Sequence, residues 1–152
     1  MVTPMKIFYR ATATATGAGR DGHVESDDGL LNFDLATPKP RQQPEKTNPE
    51  QLFAAGYAAC FHSALKMAAK SAGVDLTDSS VTAEVGIGMN LKGGFQLHVE
   101  LRVHVPGGSE EELRKVLDKA EQTCPYSNAT RGNIGTKIRL DTSAAVAVPP
   151  VS

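Results

Sequence analysis

The stretch TNPEQLFAAGYAACFHSALKMAAKSAG, residues 47–73, predicts one long helix at the centre of the chain. Asn48 is a good N-cap, and Pro49 suits the first helical position because its missing N–H costs nothing there. Gly73 is a typical C-terminal stop, so we expect the helix to end at about Ala72. Apolar residues surround its first half, which indicates burial on several sides, and its small residues would let another backbone approach closely.

Segments with strand patterns precede this helix. Residues 9–22, YRATATATGAGRDG, alternate Thr with Ala at the period of a strand and then enter a Gly-rich turn. Residues 23–35 continue as short strands. Residues 36–46, ATPKPRQQPEK, hold three prolines and predict an irregular connection.

Strands and a second helix follow. The clearest strand is FQLHVELRVHV, residues 95–105, whose alternation predicts one buried and one wet face, as in an antiparallel sheet. Ser109 and Glu112 form a capping-box pattern for a helix that ends near Cys124, where Pro125 stops it. IGTKIRL supplies a last strand, and residues 142–152 form a weak tail. This order predicts one α+β domain over residues 1–152.

Composition narrows the function classes. The 152 residues are 40% hydrophobic and 22% charged, enough for a real core. The net charge of -1 gives no reason to expect nucleic acid or an anionic membrane as main partner. We expect no signal peptide and no membrane span, since polar residues interrupt the most apolar stretch. We therefore expect a cytoplasmic protein, in which paired cysteines tend to be catalytic or redox-sensing.

The chain has two cysteines, Cys60 in the long helix and Cys124 before Pro125. Cys60 fits two interpretations, a small apolar filler or a reactive thiol. A zinc site is disfavoured, because Cys60 and His62 point to different helix faces and the four-ligand set is missing. Cys124 lies where a thiol is often reachable, but the spacing does not show that the cysteines meet.

A reactive cysteine must ionise, which requires a nearby cation. Arg20, in the turn GAGRDG, is a candidate for this cation, although a solvated turn residue would explain it as well. Glu50, in the first helical turn, is a carboxylate that the helix dipole alone would also explain. Glu50 and Cys60 lie ten residues apart on one helix, roughly 15 Å along its axis. That separation suggests a site shared between two subunits.

Residues 47–61, TNPEQLFAAGYAACF, together with residues 124–133, CPYSNATRGN, resemble the organic hydroperoxide resistance branch of the OsmC-like family. The early ATATATG…GRDG segment and GGFQLHVELRV fit the same pattern, so the resemblance spans nearly the whole chain. It implies the OsmC-like fold, in which antiparallel sheets pack around a long central helix, and an intertwined homodimer with active sites at the subunit interface.

The resemblance also implies a thiol peroxidase without a bound cofactor. Cys60 matches the peroxidatic cysteine, Cys124 the resolving cysteine, Arg20 the arginine that stabilises the thiolate, and Glu50 the carboxylate that holds this arginine. Organic and fatty-acid hydroperoxides are the implied substrates, and dihydrolipoyl groups on other proteins the implied reductant. We expect Phe53 and Tyr126 to line the apolar mouth, although ordinary core packing would explain them equally well.

One segment and one single residue depart from the family pattern. Residues 38–46 are richer in proline and charge than the Gly-rich segment expected there, and Glu121 stands where a histidine is frequent. Both departures bear on loop motion and kinetics, since neither touches the four matched positions. Two rival functions remain, a binding module that holds a lipid-like ligand beside inert cysteines, and the sister OsmC branch with similar chemistry.

Overall fold

The computed structural model describes residues 5–144, in two compact units that divide the chain between Pro49 and Glu50. Most of the tail expected at residues 142–152 therefore lies outside the described residues. The organisation of residues 1–152 as one domain stays a prediction. Among the helices within residues 5–144, none combines the length and the apolar character that crossing a membrane requires.

The N-terminal unit carries a three-stranded antiparallel sheet in the order β1-β2-β3. Its strands are β1 (Ala13–Thr16), β2 (His23–Ser26) and β3 (Asn32–Asp34). Gly17 and Gly19 follow β1 with φ angles of +75° and +63°, a backbone region that favours glycine. They lead into a single 3-10 turn, Gly19–Asp21. The predicted strand and Gly-rich turn are thus both confirmed.

The long helix α1 (Pro49–Ala72) has the predicted start and end. Gly73 follows it with a φ of +70°. The N–H of Val74 donates to the carbonyl of Ala69 at 2.9 Å, and that of Gly73 donates to Lys70 at 3.3 Å. These two bonds satisfy backbone carbonyls that would otherwise lack a partner at the end of the helix. Gly73 has the left-handed backbone conformation that this kind of helix end requires and that glycine adopts easily.

The C-terminal unit also holds a second three-stranded sheet, in the order β4-β5-β6. Its strands are β4 (Ser80–Met89), β5 (Phe95–His104) and β6 (Thr136–Asp141). β4 and β5 are antiparallel, but β6 runs parallel to β5, so the expectation of purely antiparallel sheets is wrong for this pair. The physical reason is the long connection between β5 and β6, which contains α-helices. It brings the chain back to the end of the sheet at which β5 begins, so that β6 runs in the same direction as β5.

One face of β5 lies in the core of this unit. Val99, Leu101 and Val103 are buried as the alternation predicts, whereas Phe95 at the start of the strand is 78% exposed. Side chains of α1 and of the second helix complete the core. They include Tyr57, Phe61, Leu65, Leu113, Val116, Leu117 and Ala120.

The two remaining helices, α2 (Glu110–Thr123) and α3 (Pro125–Thr130), are separated by Cys124 alone. Ser109 is the N-cap residue of α2, but the predicted capping box is wrong, because its side chain makes no capping hydrogen bond. Pro125 ends α2 as predicted and also begins α3, which the sequence analysis did not predict. Proline tolerates that position because first-turn N–H groups have no helical partner.

Candidate active site

The two cysteines reach the site from different helices. Cys60 lies in the middle of α1 and is partly buried. Cys124 has extended backbone angles, φ −67° and ψ 121°, and serves as C-cap of α2 and N-cap of α3. Its side chain is 0% exposed, so the expectation of a reachable thiol is wrong for Cys124. Its packing in the core of the C-terminal unit shields it from solvent.

The structure brings these two thiols together. Cys60 and Cys124 are both free, and the Cys124 thiol lies close enough to Cys60 to raise the pKa of the Cys60 thiol. The sequence could not show this contact, because the two residues belong to helices separated by a whole hairpin. Two neighbouring thiols are placed to form a disulfide once one of them is oxidised, since that chemistry needs direct approach of one sulfur to the other.

The surroundings of Cys60 act on its ionisation in opposite directions. Burial raises the pKa of the Cys60 thiol, and the neighbouring Cys124 acts in the same direction. The backbone N–H of Tyr126, in the first turn of α3, donates a hydrogen bond to the sulfur and lowers this pKa. Burial is the largest of these effects, so a further favourable charge is needed for a thiolate at neutral pH.

Three aromatic rings pack beside the cysteines. Phe53 and Tyr126 meet edge-on with centroids 5.8 Å apart, and Tyr57 lies 6.1 Å from Phe53 and 5.6 Å from Tyr126. Gly56 makes room for the Tyr126 ring, since a Cβ at position 56 would lie 2.6 Å from the Tyr126 hydroxyl oxygen. Phe53 and Tyr126 are therefore adjacent, and their role as a substrate lining stays a prediction.

Three buried residues of the site, Tyr57, Ser127 and Thr130, were not predicted from the sequence. The Tyr57 hydroxyl is hydrogen-bonded to Ser127 Oγ at 3.0 Å and to Thr130 Oγ1 at 3.2 Å. All three residues are buried. A tyrosine inside an apolar helix was the available signal, because a buried phenolic hydroxyl needs a hydrogen-bonding partner.

A small polar cavity of about 190 Å³ adjoins this network. Glu121, the residue noted above as a departure from the family pattern, lines it together with Tyr57 and Arg131. Arg131 donates to the backbone carbonyl of Glu121 at 2.7 Å and to Asn128 Oδ1 at 2.7 Å. Arg131, a residue of the cavity wall, thus makes hydrogen bonds to both α2 and α3.

Arg20 and Glu50 lie in different units. Arg20 is in the 3-10 turn Gly19–Asp21 of the N-terminal unit, and Glu50 is in the first turn of α1. Asp21, next to Arg20, accepts hydrogen bonds from the backbone N–H of Thr37 at 2.8 Å and from its hydroxyl at 3.2 Å. These bonds lower the pKa of Asp21 and hold its turn against Thr37. The roles of Arg20 and Glu50 toward Cys60 stay predictions.

The described part of the chain contains no set of side chains suited to binding a metal ion. Within residues 5–144, no group of three or more His, Cys, Asp and Glu side chains could hold a metal ion. The arrangement around Cys60 is instead that of two thiols, one backbone donor and an aromatic wall.

Comparison with known proteins gives one consistent result. The sequence model described as OsmC-like protein matches residues 42–139. An organic hydroperoxide resistance protein of Xanthomonas axonopodis pv. citri is 50% identical over 143 residues, which cover 92% of this chain and 99% of the relative. Among relatives from other bacteria, the protein OhrB of Bacillus subtilis, also named for organic hydroperoxide resistance, is 42% identical over 135 residues, or 88% of this chain and 98% of the relative.

The fold agrees with solved structures. An organic hydroperoxide resistance protein from Elizabethkingia anophelis superposes with a TM-score of 0.84 at 50% identity, over 91% of this chain and 100% of that one. The predicted α+β, OsmC-like fold is therefore confirmed.

Proposed function

The chain belongs to the OsmC-like family and to its organic hydroperoxide resistance branch, and we propose that it is a cysteine-based peroxidase that reduces organic hydroperoxides. The observation that carries this proposal is the contact between the thiols of Cys60 and Cys124. Inert cysteines in a binding module would have no reason to meet, whereas a peroxidatic and a resolving cysteine must.

In the first step, the Cys60 thiolate attacks one oxygen of the hydroperoxide. An S–O bond forms, the O–O bond breaks, and the alkoxide leaves as an alcohol after taking a proton. Cys60 becomes a sulfenic acid. Cys60 is the better attacking group of the two, because it is only partly buried whereas Cys124 is fully buried.

Arg20 would supply the charge that burial makes necessary. Its guanidinium would favour the Cys60 thiolate and donate hydrogen bonds to the peroxide oxygens. Glu50 would hold the guanidinium through a paired, charge-assisted contact. Support for the pairing is the family assignment together with the raised pKa of Cys60, which requires an opposing charge.

In the second step, Cys124 condenses with the sulfenic acid. The S–S bond forms as the S–O bond breaks, and the oxygen leaves as water with the Cys124 proton. The disulfide protects Cys60 from irreversible over-oxidation. A dihydrolipoyl dithiol carried by another protein would then reduce the disulfide by thiol exchange, becoming a cyclic disulfide itself.

The substrate class follows from the apolar side of the site. Phe53 and Tyr126 form an aromatic pair, and the backbone of Tyr126 lies at Cys60. Each buried CH₂ of an alkyl tail contributes about 0.8 kcal/mol to binding. Alkyl and fatty-acid hydroperoxides should therefore react faster than hydrogen peroxide, which has no tail to bury. The expected compartment for this reaction is the cytoplasm.

A homodimer is the expected assembly. The apolar face of the β4–β5 pair continues past the core, and no residue within 5–144 covers its outer part. Met89 pairs with Phe95 in register, and these side chains are 70% and 78% exposed, with Ile87 nearby at 48%. A second copy would cover such a face, since monomeric proteins rarely expose large apolar patches. Light scattering of the purified protein would show the predicted dimer mass or a monomer that contradicts it.

The decisive experiment is intact mass spectrometry of the fully reduced protein after one equivalent of an alkyl hydroperoxide, with hydrogen peroxide in parallel. We expect a rapid loss of about two mass units per chain, faster with the alkyl hydroperoxide, because disulfide formation removes two hydrogens. Cysteines that stay reduced over minutes would overturn the proposal and favour the binding module.

The reductant is tested separately. The oxidised protein is mixed with dihydrolipoamide, and with glutathione as a monothiol control, and return of the two mass units is followed. We expect dihydrolipoamide to be the faster reductant, because its second thiol closes a ring and releases the protein. Equal rates with both thiols would remove the lipoyl assignment and leave the peroxidase intact.

A further inference from the structure

We propose that Tyr57 is a positioning residue for disulfide formation, because its hydroxyl holds α3, and with it Cys124, against the face of α1 that carries Cys60. This inference rests on the proposed peroxidase function and adds to it the residue that aligns the two sulfurs. Tyr57 lies three positions before Cys60, so the two side chains are neighbours on one face of the helix.

The first support is the hydrogen-bond network. The Tyr57 hydroxyl bridges Ser127 and Thr130, and Thr130 Oγ1 also donates to the backbone carbonyl of Ser127 at 3.2 Å. Tyr57 is 0% exposed, and the two partners are 4% and 5% exposed. Losing a buried hydrogen bond of this kind is costly, since the group left without a partner keeps the cost of its desolvation.

The second support is the way α3 meets α1. The Tyr126 ring lies against Gly56, and the Tyr126 N–H donates to the sulfur of Cys60. Together with Tyr57, these contacts join α3 to α1 at positions 56, 57 and 60. The Tyr57 contact consists of side-chain hydrogen bonds to two residues of α3. Because α3 begins directly after Cys124, the packing of α3 on α1 helps to position Cys124.

The geometry of disulfide formation explains why the packing of α3 on α1 matters. Condensation requires the Cys124 sulfur to approach the Cys60 sulfenic acid along the S–O bond that breaks, and a displacement of about 1 Å can slow such a step roughly 10²-fold. The attack of Cys60 on the hydroperoxide needs no movement of Cys124. Loss of the Tyr57 hydroxyl should therefore slow the second step and spare the first.

The test variant is Tyr57→Phe, which keeps the ring and removes the hydroxyl. Rapid mixing with excess alkyl hydroperoxide, followed by quenching and mass spectrometry, separates the two steps. We expect the sulfenic acid to form within about two-fold of the wild-type rate and the disulfide to form at least about ten-fold more slowly. The delayed sulfenic acid should also gain oxygen, visible as a sulfinic acid about 32 mass units heavier than the thiol.

Val116→Ala is the matched control, because Val116 is buried in α2 and its truncation lowers stability without removing any of these hydrogen bonds. We expect this variant to form the disulfide at the wild-type rate. Wild-type disulfide formation in Tyr57→Phe would overturn the inference, as would an equal slowing in Val116→Ala. If Tyr57→Phe does not fold, Thr130→Val removes one of the two partners and is judged by the same criterion.

A measurement without peroxide keeps this inference separate from the proposed function. The Cys60–Cys124 disulfide is equilibrated with reduced and oxidised dithiothreitol in each variant. We expect Tyr57→Phe to shift this equilibrium toward the dithiol by about ten-fold. Without the Tyr57 hydroxyl, the Cys60 and Cys124 sulfurs would be held together less tightly in the reduced protein and would form the disulfide less readily. An unchanged equilibrium would contradict the positioning role even if the peroxidase reaction is confirmed. A shifted equilibrium in a protein inert to hydroperoxides would instead remove only the proposed function.

Discussion

The backbone N–H of Tyr126 donates a hydrogen bond to the sulfur of Cys60, at a place where burial raises the pKa of the same thiol. This bond comes from the short helix that follows Cys124, so the segment that carries the second thiol also favours the charged form of the first. The Tyr126 N–H thus bears on the ionisation of Cys60, whereas the position of Cys124 bears on disulfide formation.

The two cysteines should have separable roles. We expect Cys60→Ser to abolish peroxide reduction, because no sulfenic acid can form at position 60. Cys124→Ser should still react once with an alkyl hydroperoxide but accumulate sulfenic and then sulfinic acid at Cys60. Intact mass after one and after ten equivalents of hydroperoxide distinguishes the variants. Full activity of Cys60→Ser would refute the mechanism.

Removal of the Arg20 guanidinium should slow the peroxide step and leave the fold unchanged. We expect Arg20→Ala to lower the rate about 10²-fold, by loss of a charged donor to the peroxide, and to raise the pKa of Cys60 further. The pH dependence of Cys60 alkylation measures that pKa directly. Arg114→Ala, which removes an exposed arginine paired with Glu110 on α2, controls for the loss of charge. An unchanged rate and pKa would show that the arginine assignment is wrong.

Gly56 should not tolerate a side chain. In Gly56→Ala the new Cβ would lie 2.6 Å from the hydroxyl oxygen and 3.1 Å from Cζ of Tyr126, so the ring must shift. We expect overpacking to cost about 1–3 kcal/mol, offset by about 1 kcal/mol of helix propensity. Urea denaturation measures the net loss.

Adding Tyr126→Phe to Gly56→Ala provides the matched control. The closest clash is with the hydroxyl oxygen, so its removal should restore part of the lost stability. Tyr126→Phe alone closes the double-mutant cycle. A stabilised Gly56→Ala protein would show that the ring does not occupy this place.

His62 should make the protein sensitive to acid. Burial lowers the pKa of His62, the nearby charge of Lys66 lowers it further, and His62 Nε2 shares a hydrogen bond of 3.0 Å with Ser79 Oγ. Because the pKa is lower in the folded than in the unfolded state, the unfolded chain binds more protons between the two values. The stability that neutral His62 contributes is present above its ordinary pKa of about 6.5 and is lost as the pH falls.

The measurement compares urea denaturation at pH 7.5 and 5.5 for the wild type and His62→Gln, whose amide can still bond to Ser79. We expect a smaller loss of stability on acidification in the variant. Equal losses of stability in both proteins would show that the pKa of His62 does not differ between the folded and the unfolded state.

Local chemistry made several elements predictable. The helix α1 begins at Pro49, which lacks an N–H, and is followed by Gly73, which accepts a positive φ. Both properties belong to the residue itself. The alternation in β5 likewise predicted its buried face. The direction of β6 was not predictable, since a strand pattern carries no information on which way its neighbour runs. The capping box was not predictable in the same way, since Ser109 occupies the N-cap position without a side-chain capping hydrogen bond.

For the candidate site, the sequence by itself determined the residue types, the long helix that carries Cys60, and the family, through motifs that span most of the chain. Only the tertiary structure decided that Cys124 is buried, that its thiol meets Cys60, and that Tyr57 joins α1 to α3. The physical reason is the range of the interactions. Helix starts, stops and alternation depend on neighbours a few residues away, whereas contact between two sulfurs depends on how separate helices pack around one core.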